Sequence, residues 1–306
     1  MNLNFEKQLR KAKIKNVIRI VLIAVITVII CLPVMYFISN KIVAKSSEKL
    51  NEALMIHNDI AEPNVQIDSM VLSNSSATGG EVTANRSKNI SGYVVPWDTL
   101  TSTYSLFRFQ IDFNEMIPGQ YQSDKNNYSY NKQTKQKVAE FYHPNIDYSS
   151  YLKDMPNDLN KMDGSKQQVS EMALSFDKPM KWSEVKEKMP KDIDVKWVYL
   201  LSNDEEKKPE GTSGLPVFGF NLYQGLDQHS FESFQKSLSS YDRSKKEDFI
   251  QDFLKKTEDK NLSDVSVLGV LVTGENKDLK QLENFPNLRA SSVGVSVEKN
   301  EYIEVE

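Results

Sequence analysis

Serine and lysine stand repeatedly at the Ser-x-x-Lys spacing, among them Ser46 with Lys49, Ser183 with Lys186 and Ser233 with Lys236. On a helix that spacing sets an amine one turn from a hydroxyl, the arrangement penicillin-recognising enzymes use to activate a nucleophile. The companion motifs S-D-N and K-T-G are missing, and a chain rich in both residue types supplies such spacings by chance. His57, His143 and His229 stand far apart with no second histidine at ligand spacing, so each reads as an ordinary surface or core residue. Asp192 and Asp194 flank one apolar residue, which on a strand turns both toward one solvated face. No G-x-S-x-G elbow, H-E-x-x-H pair, phosphate-cradling glycine loop or dinucleotide fingerprint occurs. The expectation is a protein that is not an enzyme, with no catalytic residues, no cofactor and no metal.

Tyr121, Tyr128, Tyr130, Tyr142, Tyr148 and Tyr151 cluster among Asn, Lys and Ser. They are either stacking faces for sugar or peptide or the tyrosines of half-buried strands, and the second reading is the simpler. A formal charge of -4 leaves no strong positive field, which argues against direct nucleic-acid binding. Composition is that of a globular chain, 39% hydrophobic and 26% charged. The single cysteine, Cys31, excludes an internal disulfide, so packing alone must hold the fold.

Positioning begins at the membrane. Ile20 to Ser39 is a charge-free run of twenty residues, which as a helix covers about 30 Å, the thickness of a bilayer's hydrocarbon. Lys7, Arg10, Lys11, Lys13, Lys15 and Arg19 precede it and only Lys41, Lys45 and Lys49 follow closely, so the N-terminus is expected in the cytoplasm and the C-terminal mass outside. The run exceeds a signal-peptide core of about 7–15 residues and no A-x-A site closes it. In the basic tail, residues 1–19, Leu3, Phe5, Leu9, Arg10 and Lys11 form the candidate inner contact face, for lipid headgroups or for a partner protein.

Residues 40–63 read as a helical stalk, with Val43, Leu50, Leu54 and Ile60 near a helical repeat and Pro63 as its stop. It packs on the following domain or pairs with a copy of itself. Residues 64–165 read as a β-rich region: a strand at Val65–Leu72, an exposed polar loop through SNSSATGGEVTANRSKN, and β structure from Tyr93 to Ile111. Residues 166–306 alternate strands and helices without strict order, with Ser183 as a helix cap, so the fold class is α+β with a mixed sheet.

Three stretches, FEKQLRKAKIKNVIRIVLIAVITVII, MALSFDKPMKWSEVKEKMP and VLGVLVTGENKDLKQLENFPNLRASSVGVSVE, together resemble the bacterial sigma-factor regulator family. Asp177-Lys178-Pro179, the Trp182 helix and Thr273-Gly274 stand in that family's order. The resemblance implies an anti-sigma role: an inner portion holds an extracytoplasmic-function sigma factor inactive, and an outer domain with an unknown ligand adjusts the hold according to envelope state. Nineteen residues before the span are fewer than the about 40 a self-standing helical domain needs, so the expected inner partner is a sigma factor on a short helix or a second small membrane subunit. An anchored envelope binding or scaffold module without sigma contact is the alternative.

Overall fold

A computed structural model describes residues 3–111, 120–122, 128–150, 152–204, 217–223, 226–241 and 248–300. Helix α1 runs unbroken from Leu3 to Ala61, 59 residues and about 90 Å, through Pro33. Its apolar side chains between Phe5 and Ile38 are exposed, as a helix solvated by lipid requires. Beyond Ser39 one stripe turns inward, and Val43, Leu50, Leu54 and Ile60 are all buried. The stalk therefore packs on its own domain. Pro63 ends the helix by disfavouring a helical Glu62 and withholding a donor, and Asn64, at φ 55°, turns the chain into the first sheet.

That sheet contains β1 (Val65–Ser76), β2 (Gly79–Ile90), β3 (Tyr93–Pro96), β4 (Leu100–Ser105) and β5 (Phe109–Ile111), in the order β1-β2-β4-β5 with β3 also paired to β2. The expected polar loop is instead a long antiparallel hairpin whose turn is only Ala77–Thr78. Val82 and Ala84 alternate inward beneath Leu50 and Leu54 of α1, while their polar neighbours face out, so one apolar pair suffices to fix the register. Gly79 permits the tight turn, since a Cβ there would stand 2.2 Å from the Tyr104 carbonyl oxygen.

A small ribbon, β6 (Gln120–Gln122) with β7 (Ser129–Asn131), and the short helix α2 (Asp158–Lys161) lead to the second sheet. It contains β8 (Gln168–Lys181), β9 (Asp194–Leu201), β10 (Phe218–Asn221), β11 (Ser266–Glu275) and β12 (Leu288–Glu298), ordered β10-β9-β11-β8-β12. Helices α3 (Trp182–Lys188), α4 (Asp227–Ser240), α5 (Asp248–Thr257) and α6 (Asn276–Leu279), the last continued by a 3-10 turn at Lys280–Asn284, complete an α+β architecture. Every ladder between named strands is antiparallel, and the sheet's mixed character comes down to one isolated parallel bridge, Asn157 to Ser291.

Both faces of the second sheet are covered. Met172, Leu174, Val198, Val270 and Val272 pack with Phe231 and Phe234 of α4, and Ile60 of α1 enters the same core. On the opposite face Ala173, Trp197 and Leu271 lie under Phe141, and Tyr142 and Tyr148 pack edge to face at 5.2 Å beside them in the covering segment. Arg289 ties that segment down by donating to the carbonyls of His143, Pro144 and Ile146.

Two local expectations change. Ser183 lies inside α3 and does not cap it: Lys181 precedes the helix without a side-chain cap, and the Trp182 N–H donates to the Val265 carbonyl at 2.9 Å. Asp192 sits in the turn before β9, so only Asp194 is on the strand, where Lys196 approaches it at 3.4 Å.

Candidate functional site

At the N-terminal end, Phe5 and Leu9 are 63% and 43% exposed, one helical turn apart on one face, with Arg10 and Lys11 exposed beside them. The Leu3 side chain lies outside the described residues, although its backbone begins α1. α1 is continuous, so one helix connects this face to whatever holds it at its other end.

The other end is held by buried charge. Glu171 of β8 is 0% exposed, and both its oxygens accept from Lys88 Nζ of β2 at 3.0 Å. Asn64, three residues beyond α1, donates its amide to Glu171 Oε1 at 3.1 Å and to the Asn89 carbonyl, while its N–H reaches Asn221 Oδ1 at 3.0 Å. Lys88 also lies over the Trp97 ring, 4.4 Å from its centroid. Gly294 leaves room for the carboxylate, since a Cβ there would come within 2.4 Å of Glu171 Oε2. One carboxylate thus joins the end of the helix, the first sheet and the second.

A second cluster lies beside it. Glu62 accepts from His57 Nε2 and pairs with Arg86, both at 3.2 Å, and the almost fully buried Arg86 also pairs with Asp98 and donates from Nε to the Asp98 carbonyl. Burial alone would raise the Glu62 carboxyl, but the His57 hydrogen bond and the Arg86 charge outweigh it and hold the group down at about 2. A carboxyl with a lowered folded value stabilises the fold fully above its ordinary 4.5 and loses that contribution as pH falls toward 2. Glu62→Gln is expected to flatten the fall of melting temperature between pH 4.5 and 2; an unchanged slope would place the acid sensitivity elsewhere.

The second sheet and its helices also carry an open groove of about 330 Å³ between α3, β9 and the start of α4, lined by Met189, Ile193 and Leu222 with Tyr223 exposed at its lip. Buried Trp182 directs Nε1 toward Asp227 Oδ2 at 3.4 Å, which also takes Lys186 at 2.7 Å. The groove is mixed in character: Met189, Ile193, Val195 and Leu222 line it together with Lys186, Lys191, Lys196, Asp194 and Asp227. The other motif residues are framework: Thr273 is fully buried in β11, its hydroxyl without a hydrogen-bond partner, and the Asp177 N–H donates to the Asn287 carbonyl.

The serine–lysine spacings do not assemble a site. Ser46 donates to the Arg108 carbonyl at 3.3 Å, Lys186 is taken by Asp227, and Ser233 and Lys236 lie exposed on α4. His57 departs from its expected independence by pairing with Glu62, five residues on, which Pro63 turns back toward it. His143 is buried in the covering segment and His229 is exposed on α4. Among the described residues no group of three His, Cys, Asp or Glu side chains converges as a metal site. Tyr142 and Tyr148 are core residues, Tyr128 lies under Lys137 at 3.8 Å, and the side chains of Tyr121 and Tyr151 lie outside the described residues. Sequence reasoning missed Lys88, Glu171, Asn64 and Arg86.

Comparison with known families gives two matches in order: the sigma factor regulator N-terminal family over residues 6–95 and the sigma factor regulator C-terminal family over residues 159–295. The first runs from the tail through the span and stalk into β3, so it takes in the helix together with the hairpin beneath it. No curated protein and no solved structure matches the chain. With an N-terminal helix long and apolar enough to span a membrane, and with both regions present in order over most of its length, the chain belongs to the sigma factor regulator family and has a sigma-factor regulatory role.

Proposed function

We propose that the chain is a non-enzymatic anti-sigma regulator of an extracytoplasmic-function sigma factor, with its N-terminus in the cytoplasm and its sheets outside. The supporting observation is the single helix that exposes Phe5 and Leu9 at one end and enters the cores of both sheets at the other. An outer ligand that prefers one arrangement of the sheets then changes the position of the inner face, and the coupling equals its differential affinity for the two arrangements. The basic tail supports the orientation. The inner face holds the sigma factor directly or through a second small membrane subunit.

Capture of cytoplasmic proteins by the full-length membrane protein tests this, against a variant with Leu3, Phe5 and Leu9 all changed to Asp. A sigma factor retained by the parent and lost from the variant is the expected result. Equal retention of other proteins by both, with no sigma factor, would reduce the tail to a topology signal and favour an outer scaffold role.

A further inference from the structure

The end of the first sheet nearest the membrane span carries an exposed aromatic side chain at the level where the span stops. Ser39, the last residue of the charge-free run, donates its hydroxyl to the carbonyl of Ala77 in the β1–β2 turn at 2.5 Å. The neighbouring Thr78 carbonyl accepts from the Leu106 N–H at 3.2 Å, which draws the β4–β5 turn to the same place. Phe107, in that turn, is 84% exposed, the highest value among the large apolar side chains of the described residues, and Arg108 beside it is also exposed. The Arg108 carbonyl is held by Ser46, seven residues or about 10 Å along the helix from Ser39. Phe107 is thus held between the edge of the hydrocarbon and a level about 10 Å above it. A headgroup layer about 5–8 Å thick and the length of a phenylalanine side chain together span that distance.

Exposure of so large a ring to water is unfavourable, and a position between the end of an apolar span and the first strand turns is where aromatic rings enter a bilayer interface. Tyr36 and Phe37 occupy the same interface on the helix, with Lys41 over the Phe37 ring at 4.7 Å, so aromatic groups beside cations recur at this level. We propose that the β4–β5 turn is a second membrane contact: Phe107 inserts among the lipid headgroups and Arg108 meets their phosphates, so the first sheet rests on the bilayer and fixes the angle at which α1 leaves it. The proposal rests on α1 crossing a membrane. It is independent of which side the sheets occupy.

The test uses the full-length chain with Cys31→Ser and Phe107→Cys, labelled with an environment-sensitive fluorophore in lipid vesicles carrying spin-labels at the headgroup or at a shallow acyl carbon. A Thr78→Cys chain provides a second site on the same end should the first variant fail to fold, and Tyr223→Cys provides a distant control. Several-fold stronger quenching at the turn than at position 223, unchanged as protein-free lipid is added, is the expected result. Equal quenching at both sites overturns the proposal. Protection that disappears on dilution with lipid also overturns it and assigns the surface to a second copy of the chain. A chain that does not float with vesicles removes the anchor itself, whereas flotation without quenching defeats only the second contact.

Discussion

Lys88→Met is expected to cost about 3–5 kcal/mol of folding stability, the usual consequence of leaving a buried carboxylate without its cation. Glu171 would retain only the Asn64 amide and a long 3.5 Å contact from the Val295 N–H, with no access to water to replace the ammonium. For a domain of this size that loss lowers the melting temperature by about 6–20 °C, measured on the full-length protein in detergent. Adding Glu171→Gln should recover much of it, because two neutral groups of similar volume remove the unpaired charge. A single variant as stable as the parent would mean that water reaches the carboxylate. The regulatory consequence is more specific: the paired variant restores stability but not the ionic tie between β2, β8 and Asn64. On the proposed function, a junction that transmits the outer state leaves the double variant folded and holding its sigma factor but unresponsive to the outer signal.

How much of this junction could be read in advance depends on the distance over which its parts are joined. The buried stripe of the stalk was legible because Val43, Leu50, Leu54 and Ile60 carry a helical period within one segment, and all four are buried, but that period suits a second copy as well as the following domain and does not choose the partner. The strands of the second sheet were legible for the same reason, each being a short apolar run closed by turn residues. Of the β1–β2 hairpin the first strand was legible from Val65 to Leu72, but β2 was not, because over its turn half only Val82 and Ala84 turn inward, and its polar, glycine-containing sequence has the composition of a loop. Lys88 and Glu171 are 83 positions apart, and no local pattern pairs them. A weak signal did exist: Glu171 shares its face of QVSEMALSF with Val169, Ala173 and Ser175, so wherever that face is covered the glutamate must meet a buried partner. That argument predicts a cation without saying which one. The inner face is a different case, since exposure of Phe5 and Leu9 is compatible with both lipid and protein and the tail's binding partner is not encoded in its geometry.

The second large effect belongs to the packing stripe. Leu50→Ala and Leu54→Ala each remove a side chain that is at most 1% exposed and lies against Val82, Ala84, Leu100 and Tyr104, and substitutions of this kind typically cost about 2–5 kcal/mol apiece. Being one turn apart on the same stripe, they share a cavity, so their joint effect need not equal the sum. The loss should be local. Ile60 remains in the core of the second sheet, and that core has its own contacts with α4 and β10, so the stalk is expected to open while the C-terminal half stays folded. Hydrogen exchange on the full-length protein in lipid vesicles separates the two: faster exchange over residues 40–58 and in the turn half of the β1–β2 hairpin, residues 69–85, with the Lys88 end of β2, which packs with Val169 and Val295, and β8 and β11 unchanged. Uniformly faster exchange would instead show that the two sheets unfold as one unit. In the local case the inner helix is still anchored at its outer end through Ile60 and Asn64, but the first sheet no longer bears on it along the stalk. A regulator whose signal passes through the stalk then loses its response, whereas one whose signal passes only through the ionic junction retains it, so the same pair of substitutions distinguishes the two routes.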